Sequence, residues 1–212
     1  MTKTLPKLIT SEEFIEWFPN NGKRYELYNG VIVEMAPPTG DHEKVVGFLA
    51  AEITLEYRRL KLPFTIPKTS FIKTPSAESV YSPDVLLLNL DNLPNEPLFQ
   101  KESTVTQAAS IPLVVEVVST NWRDDYHKKF ADYVGRSPSR RVEMGITEFW
   151  IADYKALGGK KFIGDPKQPT FSVCQFVGDE YQVTKFTGND LIISHIFPQL
   201  NLTAQQVFNA AL

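Results

Sequence analysis

The chain has almost no sulfur chemistry: one cysteine, Cys174, among 212 residues. No internal disulfide can form, which suits a reducing cytoplasm better than a secreted scaffold held by bridges. Long hydrophobic runs are missing too. Nothing approaches the ~18 consecutive apolar residues of a membrane span. The opening "MTKTLPKLITSEEF" has no apolar h-region, so neither a membrane helix nor a signal peptide is expected. Excess positive charge is also absent, the formal net charge being -3. This argues against a protein that coats nucleic acid non-specifically, and it leaves room for a local basic cleft. There is no internal repeat and no low-complexity tract. What remains is ordinary globular composition, 42% apolar and 22% charged. That is enough for one core, and a single domain over 1–212 is the expectation.

Hydrophobic spacing then orders the elements. "TSEEFIEWF" (10–18) reads as a short helix, with Thr10 as cap and Glu13 completing a capping box. "KRYELYNGVIVEMA" (23–36) reads as a hairpin turning at Asn29-Gly30. Apolar residues at 45, 46, 49, 50, 53, 57 and 60 make a long helix that Pro63 ends. Strands are expected at 64–66, 69–73, 84–88 and 112–118. The polar stretch 89–110 reads as a long loop. Residues 123–134 read as a helix and 146–154 as a strand. Further strands are expected near 160–163, 171–177 and 181–186, and a closing helix is capped by Thr203. The fold class is therefore α/β or α+β, with a mixed central sheet flanked by helices.

Two apolar strands each carry an acid. Asp84 opens "DVLLL", and Glu116 lies inside "IPLVVEVVST". By strand alternation Glu116 shares a face with Val114 and Val118, and Asp84 with Leu86 and Leu88. An ionised carboxylate buried without a partner costs several kcal/mol. A shared hard cation such as Mg²⁺ or Mn²⁺ answers the cost for both. Otherwise Asp84 caps a loop and Glu116 pairs with an arginine. The helix after the second acid offers a cation. With Tyr126, Phe130 and Tyr133 turned inward, about 100° per residue puts Lys129 on the same stripe and Lys128 opposite. Asp125 stands four residues before Lys129 and can pair with it.

These segments resemble a known family. "SPDV" (82–85), "VVEVVS" (114–119), "DYHKKFADY" (125–133) and "GITEFWIADY" (145–154) are similar to the motifs of the Uma2 family. "RYELYNGVIVEM" (24–35) and "GDHEKVVGFL" (40–49) resemble its N-terminal signatures. The resemblance spans nearly the whole chain. It implies the PD-(D/E)xK restriction-endonuclease-like fold. In that superfamily the lysine usually follows the second acid by two residues on the same strand, where this chain has Val118. The resemblance implies that the lysine has migrated to the next helix as Lys129. It also implies that Glu26 and His42 approach the site from the hairpin and the long helix. Their plainer roles are an exposed hairpin acid and a solvated or capping histidine. A departure from the family is the insertion within "VGRSPSRRVEM" (134–144), with Arg136, Arg140 and Arg141; Pro138 forbids a plain helix through it.

The expected activity is metal-dependent endonucleolytic hydrolysis of DNA. Asp84, Glu116 and the Val117 carbonyl would hold Mg²⁺, and Glu26 would hold a second metal or a metal-bound water. Lys129 would orient water or stabilise phosphate charge. Tyr133 would bond a phosphate, position Lys129, or sit in the core. A homodimer is expected by analogy with nucleases that cut both strands. One rival is a catalytically inactive nuclease-fold module that binds nucleic acid or protein. The other is a sugar hydrolase using Glu26 and Glu116. Metal dependence separates the nuclease from both.

Overall fold

The structure, a computed structural model, describes residues 8–75, 78–134, 144–177 and 180–212. Helix α1 is Ser11–Trp17. Its capping box is complete, since Glu13 N donates to Thr10 Oγ1 (3.1 Å) and Thr10 N to Glu13 Oε2 (2.8 Å). Strands β1 (Arg24–Tyr28) and β2 (Val31–Met35) form the hairpin, in register Tyr28↔Val31. Asn29 and Gly30 both take positive φ, 48° and 78°, as a type I′ turn requires. Helix α2 (Gly40–Arg59) starts at a Thr39 cap and buries Val45, Leu49 and Ile53 at successive i+4 steps.

Short strands follow: β3 (Phe64–Thr65), β4 (Phe71–Lys73), β5 (Val80–Tyr81) and β6 (Val85–Asn89). The stretch expected as a plain loop at 89–110 is more ordered. It holds a short helix α3 (Phe99–Glu102), strand β7 (Thr104–Val105) and two 3₁₀ turns. Buried Glu96 ties it down by accepting from Thr106 N (2.8 Å), Thr106 Oγ1 (2.9 Å) and Gln107 N (3.0 Å). Strand β8 is Leu113–Val117. A π-helix, Asp124–Lys129, runs into α4 (Phe130–Val134), and β9 (Glu148–Asp153) follows. The strand expected near 160–163 is instead a single helical turn, α5 (Lys160–Ile163). It is bounded by Gly159 and Gly164, and its adjacent Phe162 and Ile163 follow no period of two. Strands β10 (Thr170–Val177) and β11 (Glu180–Phe186) and helix α6 (Ala204–Asn209) complete the order.

The class is mixed α/β, and the strands divide between two sheets. One runs β2-β1-β5-β4-β7, the other β11-β10-β9-β8-β6-β3. The run "VYSPDVLLLN" therefore contains two strands, one in each sheet. Pro83 has no N–H for a ladder and a fixed φ, so the chain leaves the first sheet there and enters the second at Val85. On one face of the second sheet, Val85, Leu87, Leu113, Val115 and Val117 pack against α2 and α6. On the other, Leu86, Leu88, Val114 and Val118 meet Tyr126 and Tyr133 and, from the first sheet, Ile72 and Tyr81. No helix among the described residues is long and apolar enough to cross a membrane.

Candidate active site at the seam of the two sheets

The site forms where the first sheet meets the C-terminal end of β8. The pairing of β6 with β8 matches Val85 to Val115 and Leu86 to Val114. One further step along that register sets Asp84 opposite Glu116. The Val117 amide donates to Asp84 Oδ2 (2.9 Å), closing the strand end. Glu26 enters from β1 and accepts from Ser82 N (3.1 Å). So the Ser82-Pro83-Asp84 crossover is held from both sheets.

Lys129 sits between them. Its ammonium is 3.0 Å from Glu116 Oε2, 3.1 Å from Glu26 Oε1 and 3.9 Å from Asp125 Oδ1. The residue is only 4% exposed and Glu116 only 1%. Lys128 points elsewhere: it pairs with Asp124 (2.6 Å) and lies over the Tyr28 ring. Over the π-turn Asp125, Tyr126 and Lys129 are buried together, as their spacing allows on an α-helical wheel too, while Phe130, expected inward, is half-buried.

His42 is buried in the first turn of α2. Its Nε2 lies 3.0 Å from the Val117 carbonyl and 3.4 Å from Asp84 Oδ2. The carbonyl expected as a metal ligand thus already has a partner. Tyr133 is fully buried, stacked edge-on against Tyr81 and Phe149, and its hydroxyl has no hydrogen-bond partner among the described residues. Arg24 reaches to 3.6 Å from Asp84 Oδ1. Arg24 is the site member that sequence reasoning passed over; Asp125 was read only as a partner of Lys129 and also lines the cavity. For Asp125 the signal was present, as the acid one helical turn before the buried lysine. The 134–144 insertion lies almost wholly outside the described residues, as do its three arginines.

Asp84, Glu116, Asp125, Lys129, His42 and Arg24 line a cavity of about 360 Å³; Glu26 and Tyr133 are not on its wall. Lys155, ion-paired to Asp41 at 2.8 Å, stands on its rim. Electrostatics follow from crowding. Burial, reinforced by Asp84, Asp125 and Glu26, holds the Glu116 carboxyl well above its usual range despite Lys129. Asp125 is pushed up to about 7, chiefly by burial. Burial also opposes the charge on Asp84, yet His42 and Lys129 hold it low. Burial likewise disfavours charge on Lys129, and the surrounding carboxylates outweigh it, so the ammonium stays charged.

A family model, Uma2, described as "Putative restriction endonuclease", matches residues 11–205. The chain belongs to the Uma2 family. No curated protein matches it. A crystal structure from Anabaena variabilis ATCC 29413, described as "a putative nuclease belonging to DUF820", is similar in fold. Its TM-score is 0.69 at 15% identity, over 96% of this chain and 99% of that one.

Does this Uma2 chain fit a divalent metal? The donors are hard oxygens, as Mg²⁺ and Mn²⁺ prefer. Glu116 lines the cavity, and its Oε1 is buried with no hydrogen-bond partner among the described residues. Among those residues no three or more His, Cys, Asp or Glu side chains form a ready metal cage. Asp84 and Glu116 would supply two carboxylates to such an ion and water would complete its shell, as is common for Mg²⁺.

Proposed function

We propose that the chain is a metal-dependent endonuclease acting on DNA. The observation that carries the reading is the buried Lys129 ammonium between Glu26 and Glu116, in the wall of a cavity that Asp84 also lines. Asp84 and Glu116 would hold the metal, with the Val117 carbonyl as a further donor once His42 turns aside. A bound Mg²⁺ or Mn²⁺ supplies Lewis-acid polarisation of the phosphate and acidifies its water. Lys129, held charged, orients the attacking water or stabilises charge developing on the phosphate; it is unsuited to act as a general base. Glu26 fixes the lysine and can take a hydrogen bond from metal-bound water. His42 and Lys129 hold Asp84 ionised, and Arg24 reaches its Oδ1 at 3.6 Å. The Lys129 ammonium lies over the Tyr81 ring, 5.9 Å from its centroid, and Tyr133 would help place it only through its edge-on packing on Tyr81. Cutting both strands of a duplex calls for two such sites, so we expect a homodimer, checked by sedimentation. The lone buried cysteine supports a cytoplasmic setting.

One observation favours a second reading, a binding module without turnover: Lys129 and His42 already satisfy much of the acid cluster. The test is incubation with supercoiled plasmid in Mg²⁺, Mn²⁺ or EDTA, alongside Glu116→Gln. Metal-dependent nicking that Glu116→Gln abolishes is the expected result. DNA left intact in both metals, with no metal binding by calorimetry, overturns the reading.

A further inference from the structure

Beside the cavity lies an aromatic and basic surface that the acid cluster does not use. Trp122 immediately follows cavity-lining Asn121 and is half-buried. Its ring rests against Gly159, where a Cβ would stand 3.1 Å from the indole, so glycine permits the fit. The exposed Arg123 guanidinium lies over the indole, 4.4 Å from the ring centroid. Phe162 stacks on Tyr126 at 4.6 Å and 23°, and meets both Trp122 and His127 edge-on. The charge around these rings is positive. Arg123, Lys161, Lys167 and Lys185 have no carboxylate partner within 4 Å among the described residues. Lys167 and Lys185 reach only backbone oxygens, those of Leu157 and Lys161. The chain carries net -3, so this is a local reversal of sign.

We infer that Trp122, Arg123 and Phe162 form a stacking platform for an unpaired stretch of nucleic acid beside the site of hydrolysis. The choice of partner rests on the nuclease reading; the choice of strand state rests on the platform. Paired bases in a duplex hide their faces against their neighbours, so flat rings and a guanidinium plane can receive a base only where it is unpaired. The unpaired lysines are suited to the phosphates on either side of it. The substrate class then narrows to single strands, flaps or ends, or to a duplex opened at the site.

The test needs no hydrolysis. In EDTA and low salt, fluorescence anisotropy compares a labelled oligothymidylate of about 20 nucleotides with a duplex of the same length. The single strand should bind more tightly. Trp122→Ala should weaken it at least about fivefold, the scale of one lost base stack, and Trp122→Phe should recover most of the loss. Arg123→Glu and Lys161→Glu, at exposed positions, should weaken binding and flatten its salt dependence; they keep the test valid if Trp122→Ala fails to fold. Equal binding of both DNA forms, or wild-type binding by Arg123→Glu and Lys161→Glu together, overturns the platform. Single-strand binding through Trp122 in a chain that never cleaves leaves the platform standing and sinks the nuclease. Normal cleavage with unchanged binding in all variants does the reverse.

Discussion

Neighbouring parallel strands each bury a glutamate, and the two are treated differently. Glu148 on β9 and Glu116 on β8 are both fully enclosed. The register Leu113↔Glu148 and Glu116↔Ile151 offsets them by three positions, so they face opposite sides of one sheet. Glu148 is completely satisfied by neutral donors: Trp150 Nε1 at 2.6 Å, His195 N at 2.8 Å and Gln175 Nε2 at 3.2 Å. Glu116 has one oxygen on Lys129, and the other has no hydrogen-bond partner among the described residues. Burial alone therefore says little about function. A carboxylate whose hydrogen bonds close is architecture, whereas one left with a free lone pair on a cavity wall is waiting for a ligand.

Four experiments sharpen or break this contrast. The largest effect should come from Glu116→Gln, which removes a proposed metal ligand. Cleavage should fall by about 10³ or more, with the metal-free Tm unchanged or raised as like charges are relieved. A variant that cleaves normally would remove the distinction between the two glutamates. Glu148→Ala should do the opposite, because it leaves three buried donors unpaired. Denaturant melts should reveal a loss of about 3 kcal/mol, while per-molecule activity persists at low temperature. Lys129→Ala should cost roughly 10² in cleavage rate, against a nearly silent Lys128→Ala; the reverse ranking would discredit the lysine assignment.

The smallest effect is on pH. Asp125 is protonated in the folded chain up to about 7, above its ordinary acid range. Between those limits the folded state holds the extra proton, so metal-free stability should decline as pH rises toward 7. A cation in the cavity that Asp125 lines favours its ionised form, so Mn²⁺ affinity should strengthen with pH over the same window, by at most about tenfold per unit. Calorimetry on Asp125→Asn should show a flatter profile; an unchanged slope would assign the proton to another group.

The acids were legible because Asp84 and Glu116 interrupt strands that are otherwise apolar, and alternation alone assigned their faces. Lys129 was legible because a helical wheel separates it from Lys128. The wheel's inward residue, Lys129, is the buried one, but the helix it was drawn for is a π-turn over Asp124–Lys129. Hydrogen-bond spacing of that kind leaves no mark in hydrophobic periodicity. The contact of His42 with the Val117 carbonyl joins residues 75 positions apart, and local pattern cannot reach it. The division into two sheets hung on Pro83, whose presence was plain. Its effect depended on which strands lay on either side.

The seam itself has a mechanical consequence. Glu26 belongs to one sheet and Glu116 to the other, and a single amine clasps both. Any phosphate that draws the ammonium toward itself also loosens the clasp. Reaction and breathing then share one fastener, so the hairpin bearing Glu26 should exchange its amide hydrogens faster when an anion fills the cavity, and slower when the cavity is empty.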